Sequence, residues 1–244
     1  MTRLDDSRVR FSLGAAALAF LYLAPSITAG VSSLRRPLGV RDRTASGRGV
    51  ALTFDDGPHP QGTQAVLEIL RDANAPATFF LVGEQVARRP GVAAEIAAAG
   101  HEIALHCHRH RSLLRLTPHQ VRDDLDRAYE LIAEATGREP RLYRPPYGVL
   151  NAAALATARQ RGWQTVLWAR DGHDWEARAT ADSIAERITR GVEPGDVLLL
   201  HDSGDYSAPA SWRKTVAALP RIIERLDELG LKAEPVDYEL RASS

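Results

Sequence analysis

The sequence predicts an α/β fold of mostly parallel strands with helices outside. Two observations carry this. Short apolar runs alternate with stretches of helical period along the chain after residue 49, in six or seven β-then-α units. The runs are also apolar throughout rather than alternating with polar residues, as strands covered on both faces are. An irregular barrel and an open doubly wound sheet both satisfy that pattern.

The elements follow in order. Residues 49–54 (GVALTF) form a strand that stops at Asp55, and Ala65, Leu67, Ile69 and Leu70 mark a helix ending near Asn74. Residues 77–82 (ATFFLV) are a second strand, 92–99 a helix closed by Gly100, and 102–106 a third strand. Thr117, Pro118 and Gln120 spell a capping box with proline at the first helical position. The helix they open carries Val121, Leu125, Ala128, Ile132 and Ala135 at helical period and stops at Gly137. Residues 141–144 and 164–169 are strands on either side of a helix over 151–162. A helix over 181–190 precedes the strand 196–201 (DVLLLH); a last helix, with Pro220 inside it, runs toward Gly230, and 232–236 close the series. No glycine-rich phosphate loop follows any strand, so a nucleotide-binding sheet is unsupported.

The first thirty residues differ from the rest. Phe11 to Ala24 is almost wholly apolar, follows Arg3, Arg8 and Arg10, and is succeeded by small residues and by Arg35 and Arg36. That layout reads as a secretory signal or a membrane anchor, because no polar face interrupts it as in a core helix. Cleavage after Ala29 would place Ile27 where a small residue is preferred. The organisation read from sequence is therefore a signal or anchor over 1–31, a linker over 32–48, a catalytic domain over 49–237 and a tail over 238–244, in a secreted or membrane-anchored, extracytoplasmic protein. The chain has 31 basic and 31 acidic residues, so its formal charge is zero and it carries no electrostatic footprint for nucleic acid. The single cysteine, Cys107, excludes an intramolecular disulfide.

Polar residues cluster where strands end, which in a parallel barrel is where active sites lie. Asp55 and Asp56 end the first strand. Two adjacent carboxylates repel unless a cation or shared proton relieves them. His106 and His110 are four apart, a spacing that places two imidazoles on one face of a helical turn around one metal ion. With Asp56 they supply two histidines and a carboxylate, leaving open positions for water on zinc. RPPYG at 144–148, DGHDW at 171–175 and His201 with Asp202 end the remaining strands. His59, His101 and His119 fall outside this spacing.

With these motifs in that order, the chain from about residue 49 to 236 resembles the polysaccharide deacetylases: TFDDGP at 53–58, the stretch from His106 to His110, RPPYG, DGHDW, and Leu199 to His201. The resemblance implies a distorted (β/α)7-type barrel, a divalent metal, zinc first with Co2+ or Ni2+ as alternatives, and removal of N-acetyl groups from a peptidoglycan or chitin-like glycan. It also implies roles: Asp55 as general base, Asp56, His106 and His110 as metal ligands, and His201 as general acid. Arg144 would hold Asp55 and Asp174 would hold His201. The backbone N–H of Tyr147 would meet the oxyanion, and Trp175 and Leu199 would line the acetyl pocket. Two relatives of that reading are an O-acetyl esterase of the xylan type and an inactive carbohydrate-binding protein; the presence of both Asp55 and His201 weighs against the second. An iron oxygenase using the same ligand triad is disfavoured by the separate acid histidine. One departure concerns Cys107, where the family carries Ser or Thr that orders the histidine loop. Cys107 reads as a small buried thiol rather than a fourth ligand.

Overall fold

Eight strands, β1 (Val40–Arg41), β2 (Ala51–Asp55), β3 (Thr78–Val82), β4 (Glu102–Cys107), β5 (Leu142–Tyr143), β6 (Gln164–Val166), β7 (Arg170–Asp171) and β8 (Val197–His201), build one sheet. All pair in parallel, in the order β1-β6-β5-β4-β3-β2-β8-β7. The computed structural model describes residues 16–236. The first fifteen residues of the expected leader and the expected tail over 238–244 lie outside them. The helices are α1 (16–23), α2 (Gly62–Asp72), α3 (Gly83–Arg88), α4 (Pro90–Ala98), α5 (Pro118–Thr136), α6 (Ala152–Gln160), α7 (Ala181–Thr189) and α8 (Trp212–Glu228). The sheet curls into a half-barrel with these helices around it, as expected from the sequence. Past β1 the chain reaches across the gap: Val197 N–H donates to Asp42 O (3.3 Å) and Thr44 N–H to Gly195 O (2.8 Å).

Alternation along each strand divides the core in two. Leu52, Phe54, Phe79, Leu81, Leu198 and Leu200 join the large cluster under the helices. Ala51, Phe80, Ala104, Leu142, Val166 and Val197 form a small cluster inside the curl. Thr53 and Asp55 share the parity of Ala51, His106 that of Ala104, and Leu199 and His201 that of Val197. The interior is therefore apolar at the N-terminal ends of the strands and polar at their C-terminal ends.

Several elements depart from the expectation. The segment read as a linker over 32–48 contains β1, whose Val40 and Arg41 pair with Thr165 and Val166, so the folded unit reaches upstream of Gly49. A two-residue strand carries no periodic signal. The same limit hid β7, and α3 is too short to show a period. The expected closing strand over 232–236 reduces to one bridge between Val50 and Ala233. Among the described residues no single helix is long and apolar enough to cross a membrane; the pair 16–29 and 32–38, bent by 118°, passes that test together.

Candidate active site

Asp55, the last residue of β2, is 3% exposed and points into the curl. Arg144, fully buried beyond β5, meets it there: Nη1 donates to Asp55 Oδ1 at 2.7 Å and to Thr53 Oγ1 at 2.8 Å. The rest of the guanidinium donates to the carbonyls of Val166 (3.3 Å) and Leu167 (3.2 Å) and lies 3.9 Å over the Phe80 ring. A buried cation needs this much compensation. Burial raises the Asp55 carboxyl above its ordinary value, and Arg144 and His201 pull against that rise.

Asp56 follows with a left-handed backbone, φ 78°, which turns its side chain to the same cavity. His106 Nε2 lies 3.6 Å and His110 Nε2 3.4 Å from Asp56 Oδ1. His106 Nδ1 donates to Arg144 O at 2.7 Å, which leaves the Nε2 lone pair facing the cavity. Burial holds both imidazoles neutral, at about 3, and pushes Asp56 up to about 7. Asp56 Oδ1 is buried without a hydrogen-bond partner. A carboxylate and two neutral imidazoles, each offering an atom within 4.8 Å of the others around an unpartnered buried oxygen, are a donor set that fits a divalent cation.

The two histidines do not share a helical turn. His106 is the penultimate residue of β4 and the extra residue of a bulge, between the pairs Leu81–Leu105 and Val82–Cys107, and His110 lies in the loop beyond. Bulges re-aim side chains in this way. Asp124 of α5 orders that loop, accepting from His108 N–H (2.8 Å), Arg109 N–H (3.3 Å) and Arg111 Nη2 (2.9 Å). Cys107 is fully buried, burial pushes its thiol well up, and it lies outside the ligand group.

His201 faces the cavity from the end of β8. Its Nδ1 donates to Asp174 Oδ1 (2.8 Å), while Asp174 Oδ2 accepts from His201 N–H and Thr215 Oγ1, each at 2.7 Å. Burial pulls the imidazole down, but the charge and hydrogen bond of Asp174 outweigh it and hold His201 at about 10. Asp174 is pushed up by burial and lowered on balance by His201. The Nε2 side of His201 lies 4.0 Å from Asp56 Oδ2.

A cavity of about 230 Å³ joins these groups, and Tyr147, Trp175, Leu199, Trp168 and Tyr206 complete its walls. Tyr147 also adopts left-handed backbone, φ 59°, and is 59% exposed at the rim. Next to it, Gly148 (φ 67°) has no room for a side chain: a Cβ there would lie 2.6 Å from Trp168. Sequence reasoning missed Trp168, Tyr206 and Asp124, and placed Asp202 at a strand end without giving it a role. Tyr206 stacks on His110 (4.6 Å between centroids) and donates to Glu84 Oε1 at 2.6 Å. It sits in a Ser/Gly/Asp-rich loop with no pattern to flag it. Asp202 was legible as a second carboxylate beside His201; fully buried, it accepts from Thr63 and lies so close to Gly57 that a Cβ there would meet it at 2.5 Å.

The chain is similar to known proteins in sequence and in fold. Residues 42–166 match the family model described as polysaccharide deacetylase. A peptidoglycan-N-acetylglucosamine deacetylase of Bacillus cereus is 37% identical over 79% of this chain and 88% of its own length. A chitooligosaccharide deacetylase of a Bradyrhizobium species is 37% identical over 78% of this chain and 89% of its own. Among solved structures, a peptidoglycan N-acetylglucosamine deacetylase superposes with a TM-score of 0.76 at 29% identity, covering 82% of this chain and 92% of that one.

Proposed function

The chain belongs to the polysaccharide deacetylase family, and on that premise we propose that it hydrolyses N-acetyl groups of an N-acetylglucosamine-containing glycan, peptidoglycan or chitin-like, releasing acetate. One observation carries the reading. Two separately held groups, Asp55 on Arg144 and His201 on Asp174, face the same cavity as the Asp56–His106–His110 donor set.

Asp56, His106 and His110 would hold the ion, zinc first and Co2+ or Ni2+ otherwise. When bound, such an ion lowers the pKa of a water from about 16 toward 7 and polarises a carbonyl oxygen. Asp55 accepts the proton of the water whose oxygen attacks the acetyl carbon. Arg144, bonded to Asp55 Oδ1, leaves Oδ2 as the accepting atom. The backbone N–H of Tyr147 meets the oxyanion of the tetrahedral species, a donor worth about 3–4 kcal/mol. His201 then passes its Nε2 proton to the departing amine as the C–N bond breaks, and Asp174 stabilises the imidazolium before that transfer. Leu199 and Trp175 offer the acetyl methyl an apolar wall.

The segment over 1–31, read as a signal or membrane anchor, supports work outside the cytoplasm on an envelope glycan. The test is acetate release from peptidoglycan, chitooligosaccharides and acetylated xylan, with and without chelator. Chelator-sensitive release from the first two supports the reading; release from xylan alone replaces it with O-acetyl esterase activity.

A further inference from the structure

The apolar N-terminal segment is docked on the domain, and on one particular face of it. Tyr22 Oη donates to Leu116 O at 2.7 Å and accepts from Asn151 Nδ2 at 2.9 Å. Pro25 and Thr28 are buried. Arg35 ties the segment down again, donating to Thr28 O (3.0 Å), Asp42 Oδ2 (2.9 Å) and Trp168 O (2.8 Å). Leu116 ends the loop that carries His110, Asn151 caps the helix after the 144–148 loop, and the Trp168 side chain lines the cavity. All three contacts lie past the C-terminal ends of β4, β5 and β6, the side on which the catalytic groups sit.

The rest of the segment is apolar and uncovered. Leu18, Phe20, Leu21 and Leu23 are 70%, 72%, 64% and 37% exposed, and Ile27 and Val31 continue the surface. At about 100° per residue those four side chains point around the whole helix and not along one stripe. A second copy of this chain would cover one stripe; a lipid phase covers every side. Upstream the sequence stays apolar back to Phe11 and then turns basic at Arg10, Arg8 and Arg3, a charge that suits anionic headgroups.

We propose that this segment embeds in a lipid bilayer and, because it is docked and not merely tethered, holds the catalytic face at the membrane surface, so that the enzyme works on acetylated glycan within reach of the lipid. The identity of the reaction rests on the deacetylase reading above; the membrane geometry does not.

The experiment uses the full chain, vesicles of phosphatidylcholine and phosphatidylglycerol, and two substrates: a soluble chitooligosaccharide and an N-acetylglucosaminyl glycolipid displayed on the vesicles. The wild type should float with the vesicles, retain residues 1–29 by intact mass, and show amide protection over residues 27–35. The L18E/F20E/L21E variant should stay in solution, with an unchanged rate on the soluble substrate and a vesicle rate lower by about tenfold or more, the loss of effective concentration. The Y22F/R35A variant should still float, yet lose protection over 27–35 and most of the vesicle rate. A wild type that does not float, or is recovered without residues 1–29, overturns the proposal. So does a Y22F/R35A variant with the full vesicle rate, which would mean a tether, and so does a vesicle-free dimer that L18E/F20E/L21E dissociates. If the wild type releases no acetate from either substrate, the deacetylase reading has failed, and flotation and amide protection still decide the docking.

Discussion

Asp174 grips His201 at two points: one carboxylate oxygen takes the ring Nδ1–H at 2.8 Å and the other takes the backbone N–H of the same residue at 2.7 Å. The imidazole therefore has one orientation, with Nε2 toward Asp56, and carries its proton far above the ordinary histidine range, to about 10.

That grip sets the alkaline limb of the pH profile. A general acid works only while protonated, so kcat/KM should fall with rising pH well above 6.5. In Asp174→Asn the charge is lost and the shape nearly kept, so the limb should drop by at least one pH unit while the acid limb stays in place. The same sign governs stability. A histidine whose folded pKa is raised stabilises fully below about 6.5 and loses that contribution as pH climbs toward its folded value. The melting-temperature gap between wild type and Asp174→Asn should therefore shrink from pH 6.5 to 10. An alkaline limb shared by wild type, Asp174→Asn and His201→Gln would remove His201 from the acid role.

Arg144 and Asp55 should separate stability from chemistry. Arg144→Met leaves a fully buried carboxylate without its cation, a change that costs about 3–5 kcal/mol. Asp55→Asn keeps a polar acceptor for the guanidinium, so it should fold, retain metal and lose turnover. Thermal melts and metal content of the two proteins check this; metal loss in Asp55→Asn equal to that in Asp56→Asn would mean that the aspartates have been assigned the wrong way round.

Metal content should fall in His106→Ala and His110→Ala, each of which removes one of three protein ligands, and hold in Cys107→Ser. Asp124→Ala should lie between. It removes the acceptor that orders the loop backbone at His108 and Arg109, so the apparent metal affinity should weaken by about 10–100-fold, as for other supports of metal ligands. Competition against a chromogenic chelator reads all four. An unchanged affinity in Asp124→Ala would show that His110 needs no help from α5.

The site was more legible than its surroundings because its residues are chemically unusual and sit at strand ends. Asp55, Asp56, His106, His110 and His201 line one cavity, with Arg144 bonded to the first and Asp174 to the last, and strand parity explains why Asp55, His106 and His201 point inward. What escaped was support from a distance. Asp124 is a polar residue on the buried face of an amphipathic helix, where a sequence pattern registers only an interruption. The spacing of His106 and His110 suggested a helical turn, whereas a bulge and a loop bring them together. That distinction depends on tertiary hydrogen bonds, and spacing does not encode those.

Reading from sequence, a chain starting near Ser46 should be soluble and active. The structure adds a cost to that cut. It removes β1, with buried Val40, the Thr44 bond to Gly195 and the pairing of Arg43 with Asp196. Burial of one valine contributes about 1.5–3 kcal/mol. For a domain of this size about 2 kcal/mol corresponds to roughly 4–8 °C in Tm. A chain starting at Arg36 keeps β1 but loses the docked contacts of Tyr22, Pro25, Thr28 and Arg35, so it should melt below the full-length protein, and one starting at Ser46 should melt lower still by that amount. Both should retain the soluble-substrate activity, because no cavity-lining group is removed. Equal melting temperatures for the two would show that β1 adds nothing to the sheet, and the boundary at Gly49 would stand after all.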